Sequence, residues 1–234
     1  MADAWHDPSF AREWDQAALV TNPSRADHLD MLVTLIAQLY QSGTAIVDLG
    51  MGSGLVEELI FARRPDATVI GIESSQAMID LAQARLAPFA DRYRIVQRDL
   101  VELQEGLALG EPSALMLSVQ VFHHFPHAVQ RALYRAIGDA LATGGVFLMN
   151  DRLALDAEHL GEIYRIEWER LEESRAERSG WSGAYFLERL QHKEDYPATL
   201  EQHLVWLREA GFAATCLHLH LDRALLVGVK TANA

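Results

Sequence analysis

A glycine-rich turn at residues 50–54 is the feature that most restricts how this chain can fold. The apolar residues Ile46 and Val47 indicate a buried strand, which ends beside an acidic residue, Asp48. Glycine then stands at every second position, and apolar residues at helical spacing begin at Leu55. Glycines let the backbone turn sharply and let a ligand lie against it with no Cβ in the way. The run therefore predicts a strand–turn–helix unit that binds a nucleoside-type ligand.

The rest of the chain alternates short apolar strands with helices. Strands are predicted at 45–49, 68–73, 93–97, 114–119 and 146–149. Alternation of this kind is typical of a mostly parallel sheet with helices on both faces. Two further strands, at 212–220 and 223–229, are joined by a tight turn and must be antiparallel. The predicted fold is therefore an α/β, Rossmann-like seven-stranded sheet with an antiparallel C-terminal hairpin.

Two segments lie outside this alternation, although the length of 234 residues suits one α/β domain. Residues 1–42 are predicted to form an N-terminal helical cap, with Ser24 and Asp27 as a capping-box variant at the start of its second helix. Residues 151–200 are densely charged and helical, and they follow the fifth strand where a short crossover would suffice. Long insertions at the carboxyl edge of a sheet often shape substrate pockets, so this one is predicted to form an acceptor lid.

Composition and charge argue against several classes of binding partner and metal site. The formal net charge is −13, which disfavours nucleic acid because a phosphate-binding surface needs clustered Lys and Arg. There is one cysteine, Cys216, so neither a disulfide framework nor a cysteine metal site is expected. His218 and His220 share one strand face without an evident third ligand, and no metal is expected. No apolar run is long enough for a membrane span and the polar start is unlike a signal peptide, so a cytoplasmic protein is the default expectation.

The turn resembles motif I of the class I S-adenosylmethionine (SAM) methyltransferases. Its pattern is Asp48-x-Gly50-x-Gly52-x-Gly54, whereas the dinucleotide fingerprint would need its third glycine at the position of Leu55. Met51 and Ser53 stand where that family more usually has Cys and Thr. The resemblance covers residues 28–150 by motif and 200–230 by topology. It implies SAM as the cofactor, S-adenosylhomocysteine (SAH) as the product and the class I methyltransferase fold.

The same resemblance assigns roles to three carboxylates. Glu73, at the end of the second strand, would accept hydrogen bonds from both ribose hydroxyls, although a solvated strand-end residue is the alternative. Asp99 would meet the adenine amino group. Asp48 would lie near the positive groups of SAM, or else accept hydrogen bonds from the N–H groups of the turn. The other positions that the resemblance assigns to the cofactor site are Gly50, Met51, Gly52, Gly54, Ser74, Met78, Leu100, Ser118, Val119 and His123.

Two adjacent histidines, His123 and His124, follow the fourth strand in a stretch that resembles many small-molecule methyltransferases. Neighbouring residues do not face one ligand, so one is expected near the cofactor and the other at the acceptor. If the acceptor arrives protonated, His124 is the candidate general base, because histidine exchanges protons near neutral pH. The alternative is that both are merely polar residues at a helix start.

The resemblance implies a methyltransferase acting on a small-molecule acceptor. Methyl transfer from a sulfonium is an in-line displacement, so catalysis depends largely on positioning in a dry pocket. Trp14, Trp181, Tyr185 and Arg189 are candidate acceptor contacts because they lie in the two segments predicted to cover the site. Core packing or a solvated surface position remains the alternative for each of them. Apolar side chains of the insertion could also bury against a second copy, as in a homodimer.

Three other functions stay open. Residues 178–182 and 199–203, with Gly211-Phe212, resemble the C-terminal layout of carboxy-SAM synthases, which make a carboxylated sulfonium from SAM and prephenate. A protein that binds SAM or SAH without catalysis, as a regulatory or partner subunit, is the second alternative. NAD-dependent redox chemistry is the third, and the glycine spacing argues against it.

Overall fold

A seven-stranded sheet forms the centre of the molecule, in the order β3-β2-β1-β4-β5-β7-β6. The computed structural model describes residues 2–18, 24–107, 113–174, 179–190 and 195–232. The strands are β1 (Ala45–Leu49), β2 (Thr68–Glu73), β3 (Tyr93–Gln97), β4 (Ser113–Val119), β5 (Leu141–Arg152), β6 (Phe212–His220) and β7 (Arg223–Lys230). Strands β1 to β5 pair in parallel, and β7 is antiparallel to both β5 and β6. The predicted fold class, including the helical insertion after the fifth strand, is confirmed.

Eight α-helices surround the sheet within the described part of the chain. They are α1 (Pro8–Ala17), α2 (Arg25–Leu39), α3 (Leu55–Arg63), α4 (Gln76–Arg85), α5 (His127–Ala140), α6 (Ala157–Ser174), α7 (Gly183–Leu190) and α8 (Leu200–Glu209). A 3-10 turn at Ala2–His6 precedes α1. None of the helices in these ranges is both long and apolar enough to cross a membrane.

The sheet is buried on both faces, and its strands direct alternate side chains to two core clusters. In β1, Ile46 packs with residues of α2, α3 and α4, whereas its neighbour Val47 packs with residues of α5 and α8. Burial on both faces explains why these strands are near-continuous apolar runs. It also leaves the carboxyl edge of the sheet as the place where a ligand can approach the strand ends.

Two local predictions are wrong. The strand predicted at 146–149 begins earlier, at Leu141, so that Thr143-Gly144-Gly145 lies within β5 and not before it. An irregularity in the pairing with β4, between Ser113 and Leu115, accommodates the additional residues. Ser24 precedes α2 but makes no side-chain cap hydrogen bond, so the predicted capping box is absent.

Three segments cover the carboxyl edge near the β1–β4 junction, where the strand order reverses. The first is the 3-10 turn with α1, and the second is the pair α6 and α7. In that pair the rings of Trp168 and Phe186 stack at 4.4 Å, and Trp168 Nε1 donates to the carbonyl of Trp181 at 3.1 Å. The third is the stretch 195–199, where the Tyr196 N–H donates to the His123 carbonyl at 2.6 Å. Arg178, part of the layout shared with carboxy-SAM synthases, lies outside the described residues.

Candidate functional site

The glycines of the turn adopt backbone conformations that residues with a Cβ atom rarely adopt. Gly50, Gly52 and Gly54 have φ values of +82°, +56° and +78°. A Cβ on Gly50 would lie 2.5 Å from Val121 Cγ2, whereas one on Gly52 would meet no atom within 4 Å. The turn therefore leaves open space beside Gly52, as a cradle for a ligand requires.

A cavity of about 480 Å³ lies against this turn, in the size range of small-molecule sites. Most of the residues predicted to bind the cofactor line it, together with His124. These cofactor candidates are Asp48, Gly50, Met51, Gly52, Glu73, Ser74, Met78, Asp99, Leu100 and Val119. Trp5, Trp14 and Tyr196 complete much of its outer wall.

Three residues predicted for this cavity lie elsewhere. Ser118 is buried, and its hydroxyl donates to the Leu49 carbonyl at 2.8 Å, so it joins β4 to β1. Gly54 faces α4, where a Cβ would lie 3.0 Å from Leu86 Cδ1. His123 lines a second cavity instead. For these three, the structure corrects the predicted positions.

Glu73 is half-buried and hydrogen-bonded to backbone N–H groups. Its Oε2 accepts from Gly52 at 3.0 Å, and its Oε1 accepts from Ser74 at 2.8 Å and Ser75 at 2.9 Å. It is therefore not the solvated strand-end residue of the alternative interpretation. A carboxylate offers about four acceptor positions, so capacity remains for a ribose hydroxyl.

Asp48 and Glu57 form a buried pair of carboxyl groups beneath the turn. Both are fully enclosed, and apart from a hydrogen bond between the two carboxyl groups, none of their four oxygens receives a hydrogen bond from another described residue. Burial, and then the charge of Glu57, raise the pKa of Asp48 well above its usual range, and burial also raises the pKa of Glu57. Asp48 does not bind the turn, because the N–H groups of Gly50 and Met51 donate to the Ile72 carbonyl. Asp48 lines the cavity, where a positively charged ligand would favour its ionised form.

The N-terminal segment is fastened over this cavity by polar contacts that the sequence did not reveal. Asp15 accepts from the Ser53 hydroxyl at 2.5 Å and pairs with Arg85 Nη2 at 2.8 Å. The Ser75 hydroxyl donates to the carbonyl of Trp5 at 2.5 Å. These contacts hold α1 and the preceding turn across the glycine turn and α4.

A second cavity of about 380 Å³ adjoins the first. All four predicted acceptor contacts, Trp14, Trp181, Tyr185 and Arg189, line it. The lining residues that the two cavities share are Trp5, Trp14, Arg25, Gln120 and His124. The backbone of Gln120 has a φ of +61°, which is unusual for a residue other than glycine. The structure therefore brings the predicted donor and acceptor residues to neighbouring spaces.

His124 stands where the two cavities meet, and a carboxylate fixes its ring. Its Nδ1 lies 3.0 Å from Asp195 Oδ1, and Asp195 Oδ2 lies 2.8 Å from Arg152 Nη1. Although burial acts to raise it, the hydrogen bond from His124 and the nearby positive groups lower the pKa of Asp195 to about 2. Since an ionised Asp195 only accepts, the His124 Nδ1 carries a proton, and in the neutral imidazole the lone pair is therefore on Nε2.

His123 is turned towards the sheet. Its Nδ1 lies 2.5 Å from Asp151 Oδ1, and burial lowers its pKa despite the opposing charge of Asp151. Ligand atoms of His123, His124 and Asp195 lie within 4.8 Å of one another, a spacing that a metal ion could use. The Nδ1 atoms of both histidines are already bonded to carboxylates.

Sequence reasoning missed Asp195, Arg152, Gln120, Arg25 and Tyr196. Asp195 and Tyr196 lie in a stretch without helical or strand periodicity, so nothing local shows that they return to His124. Arg25 opens a helix, where a solvated position is the ordinary expectation for arginine. Only Gln120, directly after β4, could have been proposed from its place at a strand end.

Comparison with known proteins shows that the site is similar to those of methyltransferases and carboxy-SAM synthases. Residues 46–145 match the family model described as "Methyltransferase domain". A carboxy-S-adenosyl-L-methionine synthase of Nautilia profundicola is 22% identical over 210 residues, which cover 88% of this chain and 85% of that protein. Ribosomal RNA small subunit methyltransferase H of Cutibacterium acnes is 33% identical over 92 residues, which cover 38% of this chain but 27% of that protein.

The fold is shared with solved methyltransferase structures. An O-methyltransferase family protein from Burkholderia thailandensis superposes with a TM-score of 0.62 at 14% identity. The match covers 88% of this chain and 57% of that one, so the present chain spans little more than half of its length. At this identity the likeness concerns the fold alone.

Proposed function

We propose that this chain, which matches a methyltransferase-domain model over residues 46–145, is a class I SAM-dependent methyltransferase that transfers a methyl group from SAM to a small molecule. The first cavity would bind SAM and the second would bind the acceptor. The observation that carries this proposal is the junction of the two cavities at His124, with a carboxylate-held imidazole. A donor and an acceptor bound on either side of this residue would meet there.

The residues of the first cavity fit the chemical groups of SAM. Glu73 has acceptor capacity for the ribose, Met78 and Leu100 offer apolar contact to the adenine, and Asp99 is available for its amino group. The positive groups of the donor would favour ionisation of Asp48, and its carboxylate would then complement them. When bound, SAM supplies an electrophilic methyl group on a neutral leaving group.

His124 would act as the general base for an acceptor that arrives protonated. Asp195 holds the Nδ1 proton, so the lone pair of Nε2 is available to accept the proton of an acceptor hydroxyl or amine. Arg152 fixes the other oxygen of Asp195, which restricts rotation of the carboxylate. Asp195 is therefore a positioning residue that acts through His124.

The covering segments would exclude water. Trp5 and Trp14 from the N-terminal cap border both cavities, and Trp181 and Tyr185 border the second. We assign residues 151–200 the role of an acceptor lid on this basis. A dry pocket favours displacement because water then neither solvates the aligned nucleophile nor competes with it.

Calorimetric titration tests donor binding. Wild-type protein is expected to bind SAM and SAH and not NAD, and Glu73→Ala is expected to weaken SAM binding at least tenfold, about 1.4 kcal/mol. Glu102→Ala, which removes an exposed carboxylate paired with Arg98, serves as the control and should leave the affinity unchanged. An unchanged dissociation constant in a folded Glu73→Ala variant would contradict the ribose assignment.

A carboxy-SAM synthase is the second candidate, because one such enzyme aligns with 88% of this chain. Incubation with SAM and prephenate, followed by mass spectrometry, separates the two activities. A carboxylated form of SAM would support the synthase, whereas SAH together with a methylated acceptor would support methyl transfer. Tight SAM or SAH binding with neither product would indicate a non-catalytic binding protein.

A further inference from the structure

Four arginines from four different elements line the second cavity. Arg25 begins α2, Arg152 ends β5, Arg189 is in the last turn of α7, and Arg223 begins β7. This concentration of positive charge contrasts with the formal net charge of −13 of the whole chain. The topology thus directs guanidinium groups to one enclosed space in an otherwise acidic protein.

Two of these arginines share two carboxylates. Arg152 Nη1 lies 2.8 Å from Asp195, and its Nε lies 3.6 Å from Asp222. Arg223 Nε lies 3.5 Å from the same Asp222 oxygen, and its Nη1 donates to Gln120. The two carboxylates, Asp195 and Asp222, therefore approximately balance the charges of the two guanidinium groups of Arg152 and Arg223.

The other two have no counter-ion within the described ranges. Neither Arg25 nor Arg189 has a carboxylate at ion-pair distance there, and Arg25 Nε is buried without a hydrogen-bond acceptor. Each guanidinium lies against an indole ring instead, Arg25 at 5.1 Å from Trp14 and Arg189 at 4.3 Å from Trp181. Asp15 acts on Arg25 and Asp222 acts on Arg189 only from beyond ion-pair distance, so about two positive charges at this cavity lack a direct counter-ion among the described residues.

Unbalanced charges in an enclosed space are unfavourable for the free protein. Burial, and then the charge of Arg223, lower the pKa of Arg25 to about 10. Burial also lowers the pKa of Arg189, followed by the charges of Arg152 and Arg223. Buried charges are normally paired, so a ligand that carries the opposite charge would relieve this repulsion.

We propose that the second cavity binds its ligand through an anionic group, a carboxylate or a phosphate, held by Arg25 and Arg189. Planar guanidinium groups match both anions with paired hydrogen bonds. Trp5, Phe10 and Tyr185 in the same wall offer ring contacts to an aromatic body attached to the anion. The inference rests on the proposed function only in calling this ligand the methyl acceptor.

Binding of matched small probes, measured by calorimetry, tests the inference without requiring turnover. Benzoate and phenyl phosphate carry the two anions on one ring, and benzamide is the neutral counterpart. Wild-type protein is expected to bind at least one of the anions about tenfold or more tightly than benzamide. The tighter of the two identifies carboxylate or phosphate as the preferred group.

Substitutions test whether Arg25 and Arg189 cause the preference for anionic probes. Arg25→Gln and Arg189→Gln are each expected to weaken anion binding about tenfold or more and to leave benzamide binding unchanged, and Arg189→Lys should retain part of the affinity. Arg131→Gln is the matched control, because Arg131 is exposed and pairs with Glu209 between α5 and α8. Thermal unfolding of each ligand-free variant establishes that it is folded, and the wild-type comparison of anion with amide needs no variant.

The outcomes separate this inference from the proposed function, since SAH binding is measured on the same samples. Binding of SAH without preference for an anion, or with no probe bound at about 10 mM, would overturn the inference and leave the proposed function intact. Preference for an anion without SAH binding would support the inference and contradict the proposed function. Unchanged anion affinity in both folded glutamine variants would also overturn the inference.

Discussion

Asp48 and Glu57 lie side by side beneath the glycine turn, hydrogen-bonded to each other and to no other described residue. The raised pKa values of both groups mean that the folded protein holds protons there which the unfolded chain releases above about pH 4. Where the folded state binds more protons than the unfolded state, the free energy of unfolding falls as pH rises. The ligand-free protein should therefore lose stability from about pH 4 upwards, until the pair ionises in the folded state.

Glu57→Gln removes one member of this pair while preserving its shape. The variant is expected to be more stable than the wild type at pH 8, because it removes a buried carboxyl group whose raised pKa makes ionisation unfavourable in the folded state. At pH 4 the difference should nearly vanish. Urea unfolding at both pH values measures this, with the exposed Glu158→Gln as the control. Parallel pH dependences for wild type and Glu57→Gln would contradict the assignment.

His124 and Asp195 allow a second prediction at the level of single side chains, which depends on the proposed function. With a protonated acceptor, His124→Ala is expected to lower kcat by about 10²–10⁴-fold, the usual contribution of a general base, and added imidazole should restore part of the rate. Asp195→Asn is expected to lower kcat more than it raises KM and to displace the acidic limb of the pH–rate profile.

The control for the His124→Ala and Asp195→Asn variants is His127→Gln. His127 is exposed, and its Nε2 contacts the Pro197 carbonyl outside both cavities. Loss of binding or of folding in Asp195→Asn, without a changed pH profile, would indicate a structural role for Asp195. Failure of imidazole to restore any rate in His124→Ala would count against a base at this position.

At the level of elements, α1 and the turn before it form one wall of both cavities. The described contact that fastens α1 to the glycine turn is Asp15, which joins Ser53 and Arg85. Because α1 covers the donor cavity, we expect Asp15→Asn to increase the dissociation rate of SAH about tenfold. Stopped-flow tryptophan fluorescence can follow this, since Trp5 and Trp14 line the cavity.

Glu13→Gln is the matched control for this experiment, because Glu13 is an exposed residue of the same helix. It should leave the dissociation rate unchanged. Equal rates for Asp15→Asn and wild type would mean that this fastening does not govern release of the ligand.

The elements themselves were largely predictable because apolar periodicity reflects burial. The boundaries of β1, β2 and β3 agree with the expected ones and α3 begins at Leu55 as predicted, since each is a short apolar run next to clear turn residues. β5 was misjudged because Gly144 and Gly145 read as a break in sequence, whereas the pairing with β4 absorbs them. Local signals cannot show that a neighbouring strand will accommodate an irregularity.

At the scale of the whole molecule, the first cavity was more predictable than the second. Its residues follow strand ends and a glycine turn, which the topology brings to one edge. The second cavity is assembled from Arg25, Arg152, Asp195 and Arg223, which are far apart in sequence and carry no shared motif. Because only tertiary packing brings them together, its charge could not be foreseen from a chain that is acidic overall.

The position of the N-terminal wall also bears on how the protein can be handled. Trp5 belongs to the 3-10 turn at Ala2–His6 and lines both cavities, so a fusion partner or affinity tag inserted just before this turn would lie close to both. β7 runs antiparallel to β5 and leads the chain from Arg223 at the cavity edge to Lys230 at the opposite edge. A tag placed after β7 would leave the cavities accessible, and activity screens of this protein should therefore use C-terminal tags.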